Sequence, residues 1–196
     1  ISVNFEKAKE ILGDSFSFAA DDTNSVIQFL DLDKNSTILD VGTGVGSLAI
    51  TLALNGYRVI TGEPKSDDTV YAKQDWLSNS KKVNVDHLIE FQYFDAKDTQ
   101  FESNTYDAIF FLGSMHHIDK NDRAKVLQEC VRISRPNGII CFFEPNQNTM
   151  KMISELDPSH PEAAIPGEHS DGLNLSEQKR EGVFFDAFIF CKSTDS

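Results

Sequence analysis

Four groups of residues in this chain have the types and spacing to do chemistry. The first is Asp40 followed by Gly42, Thr43, Gly44 and Gly46, at the point where a short apolar run (Ile38, Leu39, Val41) gives way to a helical pattern (Leu48, Ala49, Ile50, Leu52). Glycines in that position let a ligand lie on bare backbone, at the N-terminus of a helix whose amides point at it. A carboxylate beside them suits a ligand carrying positive charge, because it would repel a pyrophosphate. The second group is Glu63, about twenty residues after Gly44, the interval at which such a layout sets an acid on paired ribose hydroxyls. The third is Asp95 with Ala96, and the fourth is Leu112-Gly113-Ser114-Met115-His116-His117. Imidazole titrates near neutral pH, so His116 and His117 are candidates for a general base. Helix capping or pocket lining is the other reading of the same pair.

Elements must exist to position these groups, and the periodicity supplies them. Apolar spacing predicts leading helices over residues 3–12 and 24–32, separated by Gly13 and the Phe16-Ser17-Phe18 stretch. Strands are predicted at 38–41, 57–61, 87–94, 106–112 and 139–143, with helices after 46, over 66–77 (including Val70, Lys73 and Trp76) and over about 121–131. Ser66-Asp67-Asp68 reads as the cap of the second of these, and Ser78–Lys82 as its polar end. Arg135-Pro136-Asn137-Gly138 reads as a turn. This alternation predicts an α/β fold, a doubly wound and mostly parallel sheet with helices on both faces. Residues 182–191 read as a closing strand. Met150 to Leu156 reads as one or two helical turns, and 157–172 as a proline-bearing loop.

The turn is written Gly-x-Gly-x-Gly with Ser at position 47, where the dinucleotide fingerprint requires its third glycine. With Asp40 in front of it, the stretch resembles motif I of the class I S-adenosylmethionine-dependent methyltransferases, whose fold is Rossmann-like. The resemblance covers about residues 36–145 and extends to the flanks in outline, where it implies that the strand over 182–191 is one of an antiparallel pair whose other member is missing, short or hidden in 165–180. It implies S-adenosylmethionine as cofactor, held by Asp40, Gly42, Thr43, Gly44, Gly46, Glu63, Asp95, Ala96, Leu112 and Gly113. Asp95 takes the adenine amino group by that resemblance, with Asp98 close enough to compete. It also makes residues 1–33 a candidate lid; plain packing helices are the alternative. The Asn/Asp-Pro-Pro-aromatic motif of amino-methylating nucleic-acid enzymes is replaced here by Leu112-Gly113-Ser114-Met115-His116.

Composition bounds the partners. The 196 residues suit a single methyltransferase domain, with 36–145 as its cofactor core and 146–196 as loop and closing strand. Eighteen basic against 31 acidic residues give a net charge of −13, and no basic cluster exceeds Lys81-Lys82 or Lys179-Arg180. Nucleic acid and anionic membrane surfaces are therefore excluded as partners, leaving a small or medium-sized molecule as substrate. Oligomeric state is not encoded in any pattern. No apolar run approaches about 20 residues, and no signal-peptide pattern opens the chain at Ile1. Cys130, Cys141 and Cys191 have no metal-type spacing and read as free thiols of a cytoplasmic protein. His160, Glu168, His169 and Asp171 lie in one loop, but their irregular spacing favours a polar surface over a metal site, so no metal is expected. Phe110-Phe111, Phe142-Phe143 and Phe184-Phe185 are assigned to the core. Two other function classes share the turn: a non-catalytic or regulatory S-adenosylmethionine-binding protein, and an NAD(P)-dependent oxidoreductase, which Asp40 and the glycine spacing disfavour.

Overall fold

The computed structural model describes residues 3–70, 72 and 74–193. By contact density the chain divides into two units, Ile1–Asp95 and Ala96–Ser196.

The first unit opens with α1 (Phe5–Leu12) and α2 (Asp14–Leu30). The Asn4 side chain caps α1 by accepting from the Lys7 amide at 2.8 Å. Gly13, at φ 74°, joins the two helices in a conformation that favours glycine. The second helix starts ten residues before the position predicted from sequence and includes Phe16-Ser17-Phe18. Its buried seam is Phe16, Ala19, Ala20, Thr23, Val26 and Ile27, a continuous 3.6-residue stripe. Small residues at the middle of that stripe carry little apolar signal, which is why the seam reads as broken.

Three parallel strands follow in the order β3-β2-β1: β1 (Ile38–Val41), β2 (Val59–Glu63) and β3 (Ile89–Tyr93). The register sets Asp40 opposite Thr61 and Glu63 opposite Tyr93. β2 runs two residues later than predicted, so Glu63 is its last residue. Tyr57, predicted as its start, is buried ahead of it and donates its hydroxyl to the Leu32 carbonyl at 2.9 Å. Between β1 and β2 lies α3 (Ser47–Leu54), buried on nearly every side and stopped at Asn55-Gly56. The helix predicted over 66–77 does not form. Asp67 instead accepts from the Thr69 amide at 2.9 Å, closing a turn with the same acidic side chain that could have capped a helix. The helix is α4 (Trp76–Lys82), capped by Asp75 and finished by Lys81 and Lys82 where cations complement its dipole. Lys73 lies outside the described residues.

In the second unit the strand order is β4-β5-β7-β6. β4 (Tyr106–Leu112) pairs in parallel with β5 (Ser134–Pro145), Ala108 opposite Ile139 through Leu112 opposite Phe143. The expected turn at 135–138 is present as a slip within β5, between the partners of Tyr106 and Ala108, with Asn137 at φ 61°. α5 (Arg123–Ile133) lies between the two strands in sequence, and α6 (Gln147–Leu156), longer than predicted, is capped by Asn146. β7 (Phe185–Lys192) is antiparallel to β5, and its other neighbour is β6 (Leu175–Arg180). β6 is the hidden partner: Leu-Ser-Glu-Gln-Lys-Arg is polar on both faces, so no alternation marks it, and charge on an edge strand deters further pairing. Phe110, Phe111, Phe142 and Phe143 have no exposed surface, with Phe111 stacked on Phe142 at 4.5 Å between ring centres. The phenylalanine pairs on these two strands therefore build core. Among the described residues no helix is long and apolar enough to cross a membrane.

Candidate functional site

In the first unit the turn after β1 has the backbone that its glycines foretell. Gly42, Gly44 and Gly46 stand at φ 94°, 52° and 89°, all in the region that disfavours a Cβ. The Gly42 amide donates to Gly62 at 2.8 Å, extending the β1–β2 ladder. Gly46 donates to Thr43 at 2.8 Å to close the loop, and then accepts from Ile50 to begin α3. Asn79 of α4 donates to the Val45 carbonyl at 3.0 Å and fixes the loop's middle. The N-cap of α3 is Gly46, which has no side chain to cap the helix.

Beneath the turn lies a buried polar chain. Thr61 donates to Asp40 Oδ2 at 2.8 Å, and the Thr43 and Thr61 hydroxyls are 2.9 Å apart. With the Thr61 proton given to Asp40, Thr43 is the donor to Thr61. Asp40 has no exposed surface, and its Oδ1 has no hydrogen-bond partner among the described residues. Burial pushes its carboxyl up to about 8; the Thr61 hydrogen bond opposes that rise, and the Glu63 charge adds to it. Glu63 is itself only 4% exposed. Both acids are thus deeply set. Gly62 between them is sterically required, because a Cβ there would come 1.9 Å from the Gln92 carbonyl oxygen. Asp95 is exposed after β3. A cavity of about 350 Å³ in this unit, lined by Ser36, Thr37, Arg58, His87 and Glu90 among others, sits at the amino ends of the strands. Ligands of open α/β sheets bind beyond the carboxyl ends, so the glycine turn and not this cavity is the candidate.

In the second unit, Leu112 ends β4 and Gly113, at φ 57°, donates to Phe143 at 2.8 Å. Ala96 opens the unit, half-buried, and Asp98 is exposed. Gly113 leads into a single 3-10 turn, Met115–His117, which separates the two histidines. His116 is buried, and its Nδ1 lies 2.7 Å from Glu144 Oε2, with side chains 3% and 1% exposed. The same carboxylate oxygen accepts the Ala164 amide at 3.1 Å. Arg123 donates to the carbonyls of His116 and Ile118 at 3.2 and 3.1 Å, holding the turn closed. His117 is exposed and its ring centre lies 4.1 Å from that of His116. His160, reached from a different segment, lies 5.1 and 5.3 Å from the two rings. Glu168, His169 and Asp171 do not join it. Thr61, Glu144 and the placement of His160 are the residues that sequence reasoning missed. Glu144 had one usable signal, its place at the carboxyl end of a predicted strand.

Residues 39–142 match the methyltransferase-domain family, and the chain belongs to it. A 27-O-demethylrifamycin SV methyltransferase of Amycolatopsis mediterranei is 30% identical over 59% of this chain and 41% of its own length. A glycine/sarcosine/dimethylglycine N-methyltransferase of Actinopolyspora halophila is 25% identical over 79% of this chain and 26% of its own. The chain therefore spans less than half the length of these relatives. Among solved structures, a candidate S-adenosyl-L-methionine-dependent methyltransferase of Methanococcus maripaludis superposes with a TM-score of 0.70 at 20% identity, covering 98% of this chain and 95% of that one. That likeness establishes the fold, the doubly wound and mostly parallel sheet with an antiparallel closing pair.

Proposed function

We propose that the protein is an S-adenosylmethionine-dependent methyltransferase acting on a small or medium-sized acceptor. The observation that carries this reading is the turn Gly42–Gly46, three residues at positive φ laid over a buried carboxylate with one unpartnered oxygen. A cationic, ribose-bearing cofactor fits it: bare backbone would receive the ligand, its ammonium would offset the burial that keeps Asp40 protonated and pair with the carboxylate so formed, and Glu63 would accept from two ribose hydroxyls. Thr43 keeps the turn tied to Asp40 through Thr61. Asp95, Ala96, Leu112 and Gly113 are assigned to the cofactor by the family resemblance. S-adenosylmethionine supplies a methyl group on a sulfonium, activated enough for direct in-line displacement.

The protein's own work is alignment, exclusion of water and removal of a proton where the acceptor carries one. For the proton, His116 is the better placed of the two histidines. Its Nδ1–H is committed to Glu144, which leaves Nε2 as the lone-pair nitrogen and steadies the imidazolium once formed. The acidic surface supports an acceptor other than nucleic acid or an anionic membrane. Cytoplasmic residence is supported by three cysteines without disulfides.

The test is incubation with methyl-labelled S-adenosylmethionine and fractionated small-molecule extracts, reading label transfer and S-adenosylhomocysteine release together. Acceptor-dependent release is expected. Glu63→Ala should lower the rate about tenfold or more at limiting cofactor, since charge-assisted hydrogen bonds are each worth roughly 1.5–3 kcal/mol. Cofactor binding without turnover in any extract would make the protein a binder and not an enzyme.

A further inference from the structure

We propose that His116, His117 and His160 form a site for a first-row divalent transition ion of the zinc type. This goes beyond methyl transfer and does not rest on it. One ring nitrogen of each histidine lies within 4.8 Å of those of the other two, the only such grouping of histidine, cysteine and carboxylate ligands among the described residues. Tetrahedral coordination needs nitrogens about 3.3 Å apart, so rotation of the rings by about 1 Å closes the set around an ion.

Proximity alone would be weak; the second observation is what stands behind the rings. Ligating histidines give their other N–H to a carboxylate or a backbone carbonyl, which fixes the tautomer and aims the remaining lone pair. His116 directs Nδ1 to Glu144 at 2.7 Å, and His160 directs Nδ1 to the Pro161 carbonyl at 2.8 Å. A carbonyl can only accept, so His160 Nδ1 carries the proton and Nε2 is the free donor atom. The Glu144 oxygen that orients His116 also holds the Ala164 amide, which fastens the segment carrying His160 to the same carboxylate. Glu144 therefore orients the His116 ring and the Pro161 carbonyl that of His160, while exposed His117 leaves the ion an entry path. Three imidazoles leave a fourth position for water or another oxygen ligand. The net charge of −13 raises the local concentration of cations. At His116 the ion takes the lone pair that a proton would take, so metal loading and the general-base role are alternatives on that nitrogen.

The experiment titrates the purified chain with Co²⁺, reading visible d–d absorption, and with Zn²⁺ in competition with a chromophoric chelator. One ion per chain is expected, with the intense absorption of a low-coordinate nitrogen site. His160→Ala, whose fold is checked by thermal melting, should weaken binding about a hundredfold. Glu144→Gln should weaken it about ten- to a hundredfold while leaving all three ligands in place. His87→Ala, which removes a histidine of the other unit, should change nothing. Zn²⁺ binding no tighter than millimolar, or affinity unchanged in folded His160→Ala, would overturn the proposal.

Discussion

Asp40 shows how far a single residue can be read from sequence. Its type and its place before the glycines are plain, and they argue for a cationic ligand. Its burial and its bond to Thr61 are not, because the two residues meet only when β1 and β2 pair in the observed register. The same holds for His116, in the turn after β4, and Glu144, near the end of β5, which make contact 28 residues apart in the chain. A consequence follows for stability. The folded carboxyl is pushed up to about 8 by burial, from an ordinary value of 3.8. Between those values the folded state holds a proton that the unfolded state has lost, so stability falls as pH rises through that window. Below it both states are protonated and the penalty is absent. Asp40→Asn removes the penalty, so its melting temperature should fall less than that of the wild type between about pH 5.5 and about pH 7.5. Equal falls would place the ionisation elsewhere.

At the scale of elements, the strands and their glycine turn were legible because apolar runs and punctuation residues both marked them. The failures have separate causes. α2 extends beyond its apolar pattern because alanine and threonine occupy the middle of its buried stripe. The Ser66-Asp67-Asp68 stretch has the pattern of a helix start yet forms a turn, because acidic residues close Asx turns as readily as they cap helices. β6 was invisible because an exposed edge strand needs no apolar face. One element property is testable through Gly62, whose requirement is steric and not conformational: it has no positive φ, yet a Cβ would strike the backbone of β3. Gly62→Ala should cost roughly 1–3 kcal/mol or more by overpacking. Gly56→Ala, with open space around it but φ at 88°, should cost about 1–2 kcal/mol. Urea unfolding of both variants checks the order, and a smaller loss at Gly62 would contradict the close β2–β3 approach.

At the scale of the whole chain, the fold and the family were carried by the stretch from Ile38 to Pro145, where sequence pattern, strand pairing and the family match all coincide. The acceptor is not written there. By their names the relatives given above methylate chemically different acceptors, so membership of the family does not fix the acceptor. The central claim is accordingly about the cofactor. Isothermal titration of the wild-type chain with S-adenosylmethionine, S-adenosylhomocysteine and NAD(P) tests it most directly. The account predicts one-site binding of both sulfur ligands and no heat from the nicotinamides. Saturable nicotinamide binding with no response to either sulfur ligand would contradict it.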